Sequence, residues 1–132
     1  MAAVIEREQV VARPIGAALG ADVEGVDLAG ALTPETVTAI KQAWGEHLVL
    51  RFRGQRLSDD DLMRFSHQFG ELDWAPVAAA NDAPEGRAYV MVVSNVVEDG
   101  KAIGQLGAYE AIWHTDMSYI QEPPSASALY AL

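Results

Sequence analysis

A chain of 132 residues with 50% hydrophobic content is long enough for one domain with a buried core, and too apolar for a disordered segment. A formal net charge of −10 argues against nucleic-acid backbones and anionic membrane surfaces as partners, because both need a basic patch, and the absence of cysteine excludes disulfides, thiolate zinc sites and a Cys nucleophile. The N-terminal stretch to Arg13 carries Glu6, Arg7 and Glu8 instead of the apolar run of a signal peptide, and no segment has the apolar length of a membrane span, so a soluble cytoplasmic protein is expected.

In chain order, Gln9 to Arg13 reads as a short strand ended by Pro14. Ile15 to Asp27, broken by Gly16, Gly20 and Gly25, reads as short strands joined by tight turns; the glycine spacing is not that of a phosphate loop. Thr33-Pro34-Glu35 starts a helix: a hydroxyl cap, a proline at the first helical position and an acid near the positive dipole end. Val37, Ile40 and Trp44 recur at helical spacing and are expected in the core, with the helix ending near Gly45 to His47. Leu48 to Arg53 is a strand closed by Gly54, with Arg51 and Arg53 on its wet face. Ser58 caps a second helix whose first turn holds Asp59, Asp60 and Asp61; Leu62, Phe65 and Phe69 form its buried stripe and Gly70 its stop. The three acids lack the spacing, central Gly and terminal Glu of a calcium loop. His47 and His67 fall on these helices or at their ends and read as surface or packing residues.

Asp73 to Arg87, with Pro76, Pro84 and Gly86, is a loop. Tyr89 to Ser94 is expected as a buried strand, Glu98-Asp99-Gly100-Lys101 as a turn, and Ala126 to Leu132 as a strand after the break at Pro123-Pro124. The chemistry concentrates in Ile112 to Tyr119. His114 and Asp116 lie two apart, so on an extended strand both side chains face the same way and can chelate one divalent cation. The pair follows a Gly-rich loop among β-formers, where sites are commonly built, but a His-x-Asp spacing alone is weak.

The surrounding motifs add to it. Trp113-His114-Thr115-Asp116 with Ser118-Tyr119 and Pro123-Pro124 resembles the proximal metal motif of the TauD/TfdA family of Fe(II)- and 2-oxoglutarate-dependent dioxygenases. Pro14-Ile15-Gly16, Gly20-Ala21, Gly25 to Leu28, Leu48 to Arg53 with Gln55, and Phe69 to Leu72 resemble further family signatures in the same order, from about Val11 to Leu132. The resemblance implies an α+β fold: a double-stranded β-helix (jelly-roll) core with flanking helices, of which residues 1–132 form the N-terminal portion, a single domain without an internal linker. It implies His114 and Asp116 as two Fe(II) ligands, with Fe(II) and 2-oxoglutarate as cofactors, O2 and a small organic molecule as substrates, and oxidative hydroxylation with release of succinate and CO2 as the reaction. A carboxylate at Asp116 favours hydroxylation over halogenation, where a small residue replaces it.

Family members run to about twice this length. The distal His, and the Thr and Arg that seat 2-oxoglutarate, are expected beyond Leu132: no His follows His114 and no Arg follows Arg87. The chain alone is therefore expected to be inactive, and either to be poorly soluble or to pair with another copy or with a complementing C-terminal half. Glu110 and Tyr119 are the candidate substrate-binding residues; Glu110 either meets a cationic substrate group or is a solvated loop carboxylate. Ala75 and Glu110 replace residues usual in the sulfonate enzymes, so a sulfonate substrate is not expected. The alternative reading is a non-catalytic binding or assembly module derived from the same fold.

Overall fold

A computed structural model describes residues 10–16, 18–73, 89–106 and 113–132, which fall into two compact units, Met1–Gly70 and Glu71–Leu132. The first unit runs β1 (Val11–Pro14), β2 (Ala21–Glu24), α1 (Pro34–His47), β3 (Leu50–Phe52) and α2 (Asp59–Ser66). Its sheet has the order β1-β2-β3, with β1 antiparallel and β3 parallel to β2. Pro14 closes β1 from within the strand; on an edge strand its missing N–H costs no interior ladder bond. The β1–β2 turn is held by Ile15 N–H donating to the Gly20 carbonyl (3.0 Å), and Gly20 takes a left-handed φ of 93° that a side chain would strain.

A parallel pair needs a crossover, and α1 supplies it. Thr33 caps the helix through Oγ1, which accepts from Thr36 N–H at 3.2 Å, and Pro34 opens it. Thr36, Val37, Ile40 and Ala43 are buried and pack with Ala21, Val23 and Leu28 as the core of this unit. Trp44 was expected there as well, but it is only half-buried. Its indole N–H donates to the Leu48 carbonyl (3.0 Å), and its ring meets Phe69 edge-on at 6.2 Å. Capturing a partner for the N–H holds the indole at the rim, and the small Ala43 fills the core position. The aromatic cluster continues through Phe69–Phe65 (5.0 Å) and Phe65–Phe52 (5.6 Å). The α2 stripe of Leu62, Phe65 and Phe69 is thus half-buried, and α2 itself ends at Ser66, four residues before Gly70.

Arg51 and Arg53 lie on the wet face as expected. Arg51 Nη2 (3.0 Å) and Arg53 Nε (3.3 Å) both donate to Oδ2 of Asp22, which sits opposite Arg51 on β2. The Arg51 hydrogen bond, reinforced by Arg53, lowers the Asp22 carboxyl to about 2. In α2 the capping box of Ser58 and Asp61, followed by Arg64, lowers Asp61 to about 2 as well. Both folded values lie below the ordinary 3.8, so their stabilisation is present above that pH and is lost as pH falls toward 2. Melting by circular dichroism across that window is expected to show a steeper loss in the parent chain than in D22N, which lacks the titrating group; equal slopes would remove Asp22 from the account.

Among the described residues of the second unit the strands are all two residues long: β4 (Val93–Ser94), β5 (Val97–Glu98), β6 (Lys101–Ala102) and β7 (Gln105–Leu106). The turn expected at Glu98 to Lys101 is present. Asp99 (φ 48°) and Gly100 (φ 76°) join antiparallel β5 and β6, and two positive φ angles are what a tight hairpin of that hand requires. Flanking it, β4 pairs parallel with β7. Gly104 permits this: a Cβ there would lie 2.7 Å from Ser94 N and 2.8 Å from the Val92 carbonyl oxygen. Those are backbone atoms that cannot swing aside, so G104A is expected to break the β4–β7 pairing at a cost of about 1–3 kcal/mol. Loss of amide protection at Ser94 and Leu106, with the hairpin retained, is the measurement.

The jelly-roll expectation is corrected here. Among the described residues the largest sheet is the open three-stranded one, and no pair of facing sheets closes on a core. A jelly roll needs strands long enough to bury a face against a second sheet. Of Tyr89 to Ser94, expected buried, only Val93–Ser94 pairs, and Tyr89, Val92 and Val93 are exposed. Ala126 to Leu132, expected as a strand, forms none, and Leu129 and Leu132 are exposed. Every buried apolar residue among those described belongs to the first unit. No helix among the described residues is long and apolar enough to cross a membrane.

Candidate functional site

His114 and Asp116 were expected side by side on a strand. The structure brings their side chains together on a different backbone: Trp113 to Thr115 is irregular and residues 116–119 form a turn. Met117 takes a left-handed φ of 51°, and Ile120 N–H donates to the Met117 carbonyl (3.2 Å), reversing the chain just after the pair. His114 Nε2 and Asp116 Oδ1 lie 3.1 Å apart, both side chains about half exposed. Ser127 Oγ donates to the other carboxylate oxygen, Oδ2, at 3.2 Å. Sequence reasoning missed Ser127; the signal available was a hydroxyl shortly after Pro123-Pro124, a break that redirects the chain.

Two donor atoms bonded to a single cation at about 2.1 Å, at right angles, are separated by about 3.0 Å. The His114–Asp116 spacing therefore suits two adjacent positions around one ion. In the structure the same two atoms face each other. Tyr119 lies in the turn and is 77% exposed, and Trp113 is fully exposed. Glu110 lies outside the described residues. His47 ends α1, where its carbonyl accepts from Gly20 N–H (2.8 Å), and His67 caps α2, donating its N–H to the Met63 carbonyl (2.9 Å).

The expectation of Fe(II) and 2-oxoglutarate as cofactors, and of metal binding, is corrected. Among the described residues no group of three or more His, Asp or Glu side chains is placed to hold a metal ion. Two exposed donors that satisfy each other do not fit a stable metal centre, which takes at least a third ligand from the protein in the two-His-one-carboxylate arrangement.

Comparison with known proteins identifies the class. The family described as "Taurine catabolism dioxygenase TauD, TfdA family" matches residues 12–132, and the chain belongs to this family of Fe(II)/2-oxoglutarate dioxygenases. Pentalenolactone F synthase from Streptomyces avermitilis is 35% identical over 117 residues, covering 87% of this chain and 38% of its own length. The alpha-ketoglutarate-dependent 2,4-dichlorophenoxyacetate dioxygenase from Cupriavidus pinatubonensis is 36% identical over 132 aligned positions, covering 93% of this chain and 45% of its own. Among solved structures, a taurine dioxygenase from Burkholderia xenovorans superposes with a TM-score of 0.51 at 36% identity, over 55% of this chain and 26% of that one. The chain spans less than half the length of the curated relatives it matches here.

Proposed function

We propose that residues 1–132 are the N-terminal portion of a dioxygenase that oxidatively hydroxylates a small organic substrate, and that His114 and Asp116 are the two donors this portion contributes to its catalytic centre. The observation carrying the reading is the approach of His114 Nε2 to Asp116 Oδ1 at 3.1 Å, within a family match that extends over residues 12–132. Neutral imidazole and an ionised carboxylate are the donor types of that centre, and the turn at residues 116–119 presents both at the surface, where further residues can complete it. Substrate class is read from the relatives: one is named for 2,4-dichlorophenoxyacetate, so a small molecule is favoured over a macromolecule. Tyr119, exposed beside the pair, and Glu110 remain the proposed substrate contacts.

The second reading, a non-catalytic binding or assembly module, draws on the lack of a three-donor group among the described residues. The two are separated by expressing the gene product with whatever its gene encodes after Leu132, and measuring succinate formed from 2-oxoglutarate. Turnover is the expected result. A gene ending at codon 132, or a longer product without turnover, would favour the module.

A further inference from the structure

We propose that Ser127 is a positioning residue for Asp116: its hydroxyl fixes Oδ2, so that Oδ1 stays turned toward His114 Nε2. The inference rests on the reading of His114 and Asp116 as the functional pair, and deepens it. An exposed carboxylate flips readily between two equivalent orientations, because its terminal torsion is broad and water solvates either one. Here each oxygen is engaged by a different partner: Oδ1 by His114 at 3.1 Å, and Oδ2 by Ser127 at 3.2 Å. The two partners come from opposite sides of the carboxylate in sequence, two residues before it and 11 after it. The chain between is shaped to bring them together. The turn over residues 116–119, with Met117 at φ 51°, reverses its direction, and Pro123-Pro124 stiffens the return. Each hydrogen bond to a charged oxygen contributes more than a neutral one, so holding both selects one carboxylate rotamer out of water. A donor pair held at a fixed separation loses less freedom on meeting a third group than one that must first be ordered.

The test uses the metal-free chain without cosubstrate or substrate, labelled with carbon-13 at Asp and nitrogen-15 at the His ring, in parent, S127A and S127T forms. In S127A the Asp116 carboxyl carbon signal is expected to move toward that of a freely solvated aspartate, and the His114 ring nitrogen signals toward those of D116N. In S127T, which keeps the hydroxyl, they are expected to return to the parent positions, with the amides of the 97–102 hairpin unchanged throughout. Parent signals in S127A would overturn the proposal. So would a change that S127T does not rescue or that spreads to the hairpin, since that assigns Ser127 to the fold and not to the carboxylate. Because no metal or turnover enters the measurement, its failure leaves the dioxygenase reading untouched, and absence of turnover in the longer product leaves this result standing.

Discussion

Alanine in place of His114 or of Asp116 is expected to lower succinate formation by the complete gene product by more than about 100-fold while leaving its thermal melt unchanged. Losing even an outer-shell partner of a metal ligand typically costs about 10–100-fold, so loss of a ligand itself should exceed that range. No substitute is at hand: among the described residues no third His, Asp or Glu joins the pair. Stability should be spared because both side chains are about half exposed and their mutual contact is a surface one. D116N is the informative companion. It keeps the size and a hydrogen-bond acceptor for Ser127 but removes the charge, so its activity should fall between D116A and the parent. Activity retained in H114A would remove the imidazole from the catalytic centre.

The second large effect is structural. Ile40→Ala is expected to cost about 2–5 kcal/mol and to lower the urea midpoint of the first unit well below that of the parent. Ile40 is 1% exposed and is the largest fully buried side chain among the described residues; its buried apolar companions among them are Ala21, Val23, Leu28, Val37 and Ala43. Two of those five are alanines, so the core has little to close over a cavity, and the loss is large against the stability of a typical domain, about 5–15 kcal/mol. I40V removes one methylene and should cost about 0.5–1.5 kcal/mol. Urea unfolding followed by circular dichroism separates the three chains. An I40A midpoint equal to that of I40V would mean that α1 does not pack on the sheet as described.

What was legible in the sequence is what local chemistry decides. Thr33-Pro34 and Ser58 with Asp61 mark their helix starts, because a side-chain oxygen and a fixed φ act within a few residues. Asp99-Gly100 marks its hairpin, because few other pairs tolerate two positive φ angles. What failed depends on partners that only the folded backbone brings into reach. Trp44 has the helical spacing of a core residue, but its N–H finds the Leu48 carbonyl at the rim. Tyr89 to Ser94 and Ala126 to Leu132 have strand composition, but a strand exists only when another pairs with it. Only Val93–Ser94 does so, with β7. The jelly roll was inferred from family resemblance and fails among these residues for the same reason: the described strands build one open three-stranded sheet and two short pairs.

The candidate site shows the same division. His114 and Asp116 could be named from their spacing and the motif around them, and the structure places Nε2 and Oδ1 3.1 Å apart. The means differed: a turn with a left-handed Met117 brings them together, where alternation along a strand was expected. Ser127 was not legible, because its role exists only once the chain has folded back through Pro123-Pro124 to reach Oδ2. The expected cofactors failed because the pair gains no third donor among the described residues, and a metal centre of this kind needs three.

The central claim is that these residues contribute two donors to a dioxygenase centre and do not complete it. Succinate production by the isolated 132-residue chain, supplied with Fe(II), 2-oxoglutarate and O2, tests this most directly. The expected result is no succinate above a protein-free control. Sustained turnover by the isolated chain would contradict it, because a complete centre would then exist within residues 1–132 or between copies of them.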